Sequence, residues 1–268
     1  VNNQSDIVPI KPKLVMKKLK LSLIGLLLLG AVACNKTDKS TNPKPAGSLS
    51  ANVSTDDAAD MVAGSLSLNS NGVANVTADV TFNASALANT HPACGTTKND
   101  TISRKSATGA TVAYSYNLTY NFMVLCNTAN QPDSLSSSLI YSGSYSGPNI
   151  STSNSGSSIF TVGGLLSTAP DFIINGEYKS NGSFKSKRDT TNAGNSAVDI
   201  VIKGLTVQKP SRAIVSGTAT ISISGDVPKK GNFSYTGTLV FNNDGTATLT
   251  INGTVYTINL INGQKTRH

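Results

Sequence analysis

The feature that most constrains the fold of this chain is an unbroken alternation from Thr111 to Cys126. Val112, Tyr114, Tyr116, Leu118, Tyr120, Phe122, Val124 and Cys126 share one parity, and Thr111, Ser115, Asn117, Thr119 and Asn121 share the other. Successive side chains of a strand point to opposite faces, so this pattern is that of a half-buried β-strand. Sixteen residues at about 3.3 Å each would span roughly 50 Å. A strand that long needs equally long partners, which predicts a large twisted sheet relieved by a bulge. The chain is rich in Ser, Thr, Asn and Gly, has no Trp and carries one glutamate, Glu177. Helix formers are scarce and β-branched residues plentiful, which points to an all-β body.

The C-terminal segment allows a test of register. Asn252-Gly253 reads as a two-residue type I′ hairpin turn. It sets Ile251 opposite Thr254, Leu249 opposite Tyr256 and Ala247 opposite Ile258, so apolar meets apolar. Upstream, a two-residue Asp244-Gly245 turn would place Phe241 opposite Thr248, on the wrong face. A three-residue loop, Asn243-Asp244-Gly245, places Phe241 opposite Ala247 and Leu239 opposite Leu249, with Gly245 left-handed in a G1 bulge. Ala213, Val215, Ala219, Ile221 and Ile223 give the preceding strand, so residues 213–260 are predicted as a four-stranded meander. Weaker strands fall near 73–82, 135–145, 158–165, 172–185 and 196–207, separated by Gly, Asn and Ser clusters. A short helix is expected over Thr55–Ala63, with Thr55 as its N-cap and Asp56, Asp57 and Asp60 near its positive end; it is expected to be the only one. GSLS, GSYS and GSFK recur, but at irregular spacing, so no solenoid is predicted.

The N-terminal segment carries the strongest motif. Met16-Lys17-Lys18-Leu19-Lys20 is a basic region, and Leu21–Ala33 is an apolar run of 13 residues. That is a secretory signal, too short for a bilayer span of about 20 residues. It ends Ala31-Val32-Ala33-Cys34, which resembles the lipobox of bacterial lipoproteins, with Ala at position 31 where Leu is commonest. The resemblance implies that the Cys34 sulfur receives a diacylglyceryl group, that the chain is cut before Cys34, and that the new amino group is acylated. Two buried chains give stable anchoring, so the implied partner is membrane lipid. Residues 1–15 fit no part of a signal, and Met16 is the expected start. Residues 34–48 then form a lipidated tether, and 49–264 the exported β-rich domain. Asn35 differs from the Asp that holds some lipoproteins at the inner membrane, so the expected location is the outer membrane, facing periplasm or surface.

Processing changes the charge. Five lysines and one aspartate precede Cys34, so the formal +8 of the whole chain, from 22 basic and 14 acidic residues, falls to +4 from 17 and 13. A modest positive charge favours solubility and is weak support for nucleic-acid binding; no nucleic-acid partner is expected. Two cysteines remain, Cys94 and Cys126, and in an exported chain an even pair reads as a disulfide. Closing a loop of about 33 residues corresponds to about 3–4 kcal/mol of loop-closure entropy. His91 and Cys94 would supply only two ligands of a metal site, with no second pair, so no metal or cofactor is expected.

Catalytic sets are hard to assemble. His91 and Glu177 are single candidates, and no nucleophile elbow, phosphate loop or zinc pattern appears. Asp171, Asp199 and Asp226 read as solvated acids at strand borders. The eight tyrosines are the stronger candidates for recognition of a glycan or protein, since each has an apolar body and a polar tip; the alternative is that they fill the core of a protein lacking Trp. Lys185, Lys187 and Arg188 read as a solvated edge guard. Asp100-Thr101-Ile102, Asp133-Ser134-Leu135 and Asp189-Thr190-Thr191 resemble the acceptors of a general O-glycosylation system in some Gram-negative bacteria, which would make Thr101, Ser134 and Thr190 acceptors in strand ends or loops. The expected architecture is an all-β antiparallel β-sandwich or strongly curved sheet. A membrane barrel would need an outward apolar band on every strand, which these Ser- and Gly-rich strands lack. The expected role is a non-enzymatic binding or envelope-structural module. The alternatives are a carrier holding an apolar ligand in a β-sheet cavity and, third, a hydrolytic enzyme. A cavity of roughly 300–1,000 Å³ would favour the carrier.

Overall fold

Eleven strands follow one another across a single antiparallel sheet in strict chain order. They are β1 (Thr97–Lys105), β2 (Ala113–Cys126), β3 (Pro132–Ser146), β4 (Ile150–Gly163), β5 (Asp171–Ser186), β6 (Ala193–Gln208), β7 (Ile214–Val227), β8 (Gly231–Phe241), β9 (Thr246–Ile251), β10 (Thr254–Asn259) and β11 (Lys265–Arg267). The computed structural model describes residues 53–90 and 92–268; the expected signal, Cys34, the expected tether and His91 lie outside the described residues. The all-β expectation holds in its curved-sheet form, because one sheet, not two, carries all the strands. Among the described residues β1 and β11 are its two edges, and the sheet is not closed.

The sheet curls strongly. Strands β3 and β10 are seven strand spacings apart, roughly 34 Å in a flat sheet at about 4.8 Å per strand. Yet a Cβ on Gly263, in the β10–β11 turn, would lie 3.3 Å from the hydroxyl oxygen of Tyr145 at the end of β3. Register shifts between Ile174 and Gly176 in β5 and between Lys203 and Thr206 in β6 supply the bulges that increase local twist. Small residues let the concave face close. The Tyr141 ring lies over Gly156 of β4, where a Cβ would sit 2.5 Å from the Tyr141 hydroxyl and also meet the Lys179 carbonyl.

The predicted strand over 111–126 is β2, and its inward parity is as read: Tyr116, Leu118, Tyr120, Phe122 and Val124 are buried, with Val112 and Tyr114 packed at the margin of the core. The C-terminal register also holds. Phe241 faces Ala247, Leu249 faces both Leu239 and Tyr256, and Ala247 faces Ile258. Gly245 has φ of +75°, the left-handed value the bulge requires. Thr248 and Thr250 on the other face are half-exposed.

Two helices fill the concave side. The first, α1 (Thr55–Leu66), is capped by Ser54 rather than Thr55: the Asp57 amide donates to Ser54 Oγ (3.1 Å), and the Ser54 amide returns to Asp57 Oδ2 (3.3 Å), a reciprocal capping box. A single 3₁₀ turn, Leu68–Ser70, leads to α2 (Val73–Thr90). This second helix corrects the expected strand at 73–82 and the expectation of one helix. Val73, Val76, Val80 and Ala84 recur at helical spacing and are buried with Thr77 and Thr81 between them. The Thr81 and Ser85 hydroxyls donate to the carbonyls of Thr77 and Thr81 (2.8 and 2.9 Å), so side chains that favour strands satisfy themselves within the helix. Two further elements lay outside the expected set: β1, and β11, which carries the domain past residue 264.

Candidate functional site

The concave face has two ends with different chemistry. At the first, three elements converge on one carboxylate of α1. Asp60 is buried and receives Lys265 Nζ of β11 at 3.0 Å, Asn149 Nδ2 of the β3–β4 turn at 3.2 Å, and the Arg188 guanidinium of the β5–β6 turn. Neighbouring Asp57 accepts from Ser186 Oγ (2.8 Å) and Asn192 Nδ2 (3.1 Å). Burial pulls the Lys265 amine below the ordinary lysine range, against the carboxylates of Asp60 and Asp56. Of the basic residues read as a solvated edge, all three are exposed, but two also reach protein partners: Arg188 holds α1, and Lys187 Nζ donates to the Gly147 carbonyl. This end is a clasp.

The second end is a groove. Helix α2 is tied to the first strands on one flank: Arg104 of β1 pairs with Asp79 (2.8 Å), Tyr120 of β2 donates to the same carboxylate (2.6 Å), and Lys98 donates to Asn83 Oδ1 (2.7 Å). The Cys94–Cys126 disulfide, with Cα atoms 5.6 Å apart, fastens the segment after α2 to the end of β2. On the other flank, α2 and the sheet stand apart, leaving a cavity of about 840 Å³. Phe82, Ala86 and Leu87 of α2 form one wall, and Leu165, Leu166 and Phe172 around the β4–β5 loop form the other. Leu165 and Phe172 are buried, but Phe82 is 57% exposed and Leu166 45%, so part of a continuous apolar surface faces solvent here.

Loop β6–β7 closes one side. The Lys209 amide donates to the Pro170 carbonyl (3.1 Å), tying this loop to β4–β5. Lys209 Nζ donates to the carbonyls of Gly164 (2.5 Å) and Leu166 (3.1 Å) and lies 4.4 Å from the centre of the Phe172 ring. Burial lowers its amine below the ordinary lysine range, an effect that Asp171 opposes. The Arg212 guanidinium sits 5.3 Å from the centre of the Phe82 ring.

The remaining sequence candidates fall elsewhere. Seven of the eight tyrosines are buried, and Tyr114 is packed at the core margin, so they build the interior rather than a recognition surface. The Tyr178 hydroxyl donates to the Asn71 carbonyl (3.1 Å) and accepts from Tyr141 (2.7 Å). Thr190 is exposed in the β5–β6 turn, whereas Thr101 lies mid-strand in β1 opposite Thr119, and Ser134 is half-buried near the start of β3. Asp189 Oδ1 accepts from the Thr191 amide and hydroxyl (3.0 and 2.6 Å), which gives that acid a turn-forming role. Glu177 and Asp199 meet Lys179 on the convex face, at 2.8 and 3.7 Å. Among the described residues no group of three or more His, Cys, Asp or Glu stands together to hold a metal ion, and no helix is long and apolar enough to cross a membrane. The chain matches no protein family model, curated protein or solved structure. The groove draws on four separate segments, and only their assembly in the fold brings them together.

Proposed function

We propose that this chain is an exported, lipid-anchored, non-enzymatic binding protein whose groove between α2 and the sheet carries an apolar ligand. The observation that carries the reading is the groove itself. Its volume of about 840 Å³ falls within the roughly 300–1,000 Å³ of small-molecule sites. Its lining is mostly apolar with a few polar groups, the composition such sites show. Burial of the tyrosines weighs against the alternative of an aromatic surface for glycan or protein. Anchoring rests on the lipobox-like Ala31-Val32-Ala33-Cys34 and places the groove beside a membrane, where apolar molecules concentrate.

Titration of the exported domain with the neutral fluorophore N-phenyl-1-naphthylamine tests the groove. Saturable enhancement is expected in the wild type. It should fall at least tenfold in affinity when Ala86→Trp fills the cavity from α2, with the thermal transition unchanged. Equal binding by both proteins would refute the site. Anchoring has its own test: the intact chain should be recovered with acyl chains on an N-terminal Cys34, and a Cys34→Ala variant should be released in soluble form.

A further inference from the structure

Every charged side chain that lines the groove is a cation. Lys209 and Arg212 both lie on it, and none of its lining residues is acidic. Among the described residues neither makes an ion pair within 4.0 Å, whereas Arg188 and Lys265 of the clasp and Arg104 of β1 each meet a carboxylate. Lys209 uses two of its three donors on carbonyls, which leaves one N–H. Arg212 is held at its backbone by a bond to the Gln208 carbonyl (2.8 Å), while its exposed guanidinium rests on Phe82 with its donor edge unused by any protein acceptor. The two cations share one turn, three residues apart, at a site whose other walls are mostly Phe, Leu, Ala and Pro, with the uncharged polar side chains of Ser85, Asn89, Gln131 and Ser167 among them.

We infer that the ligand is an amphiphile with an anionic head, its apolar chain lying between α2 and the β4–β5 loop and its head meeting Lys209 and Arg212. This inference rests on the carrier reading and adds the class of molecule carried. A neutral or cationic occupant would leave both cations beside apolar surface with no ion-pair partner within 4.0 Å, whereas an anion supplies charge-assisted acceptors to both. The loops are tied through the Lys209–Pro170 bond, so Lys209 is positioned before the ligand arrives and little ordering is lost on binding. Arg212 can stack on Phe82 and pair with the head at once, since a planar guanidinium offers its face to a ring and its edge to an anion.

The test compares four ligands of equal chain length by calorimetry on the exported domain: dodecanoate, dodecyl phosphate, dodecanol and dodecyltrimethylammonium. The anions are expected to bind at least tenfold more tightly than dodecanol, and the ammonium most weakly. Arg212→Gln should bring anion and alcohol within about threefold of each other by weakening the anions, and Lys209→Gln should act in the same direction. A preference between the two anions assigns the head as carboxylate or phosphate. Equal binding of dodecanoate, dodecyl phosphate and dodecanol overturns the inference but leaves the groove as an apolar site. Preference for anions that persists undiminished in both variants also overturns it, because the head would then lie elsewhere. No binding of any of the four refutes the carrier reading itself.

Discussion

Replacing Asp60 by Asn should unfold the domain more readily than any other single change at the clasp. The substitution keeps the side chain's shape, removes its charge and turns one of its two acceptor oxygens into an amide donor. Lys265 is the partner most affected, because its side chain is 4% exposed and its ammonium lies 3.0 Å from Asp60. Arg188, at 40%, can turn to water. Leaving one charge of a buried pair without its partner costs about 3–5 kcal/mol. Lys265 retains the Asp56 carbonyl at 2.8 Å and the Asp56 carboxylate at 3.8 Å, so the expected loss is at the low end, about 3 kcal/mol. Lys265→Met removes the other charge and leaves Asp60 with Arg188 and Asn149, a smaller loss. The double variant should then be less destabilised than the two losses added, by about 2 kcal/mol, within the usual range of coupling for residues in contact. Urea unfolding followed by far-ultraviolet circular dichroism reads all four proteins, provided the slope with denaturant stays constant. A loss below about 1 kcal/mol for Asp60→Asn, or additivity within about 0.5 kcal/mol, would refute the view that this carboxylate gathers the sheet around α1.

Removing the disulfide as Cys94→Ser with Cys126→Ser should lower stability by about 3–4 kcal/mol, and thiol labelling of the wild type without reductant should find neither cysteine. Gly245→Val should cost about 1–2 kcal/mol or more, because the left-handed backbone crowds a Cβ, whereas Thr248→Lys and Thr250→Lys on the half-exposed face should stay within about 0.5 kcal/mol of wild type; the same unfolding titrations decide both. Stability should also fall at alkaline pH. Burial pushes Tyr141 and Tyr145 up to about 12, while an unfolded tyrosine titrates near 10. Between those values the unfolded chain has released protons that the native one keeps, so each residue withdraws up to about 1.4 kcal/mol per pH unit. The stabilisation is fully present below pH ~10 and lost above it, and tyrosinate absorbance should appear together with unfolding rather than before it.

What was legible in the sequence was local. The alternation of β2 and the two C-terminal hairpins follow from a period of two and from turn chemistry within a few residues; the inward parity of β2 and both hairpin registers hold. Helix α2 was hidden because Val76, Ala78, Val80, Phe82 and Ala84 also alternate, so periodicity fitted a strand as well as a helix. The choice was made by tertiary packing: the concave face needs a cover, and the threonines can bond back along a helix. Strand β1 was hidden for the opposite reason. Its segment TKNDTISRK has one large apolar residue, Ile102, and an edge strand facing solvent needs little more. Arg188 gave no sign of its role at α1, because its partner Asp60 lies about 130 residues earlier. The groove gave no motif for the same reason: its residues lie at 82–92, 131–132, 165–172 and 209–212.

The clasp and the groove are consequences of one architecture. An eleven-stranded sheet that curls without closing leaves its concave face open at both ends, and two helices cannot cover it evenly. At the α1 end, three turns or strands bend over and spend their polar groups on Asp57 and Asp60, so the sheet is fixed in its curled form there. At the α2 end no such convergence exists. The helix is bonded to β1 and β2 on one flank and fastened after its last turn by the disulfide, but its other flank faces loops that are hydrogen-bonded to each other and reach it through Arg212 on Phe82. Phe82 and Leu166 stay exposed at an energetic cost that a fully covered core would avoid, since burying a side chain of this size contributes about 1.5–3 kcal/mol. A ligand that covers both recovers part of that cost without moving the sheet, because the curvature is already set at the far end. Rigidity at one end and exposed apolar surface at the other thus suit a preformed site filled by a molecule from outside the chain.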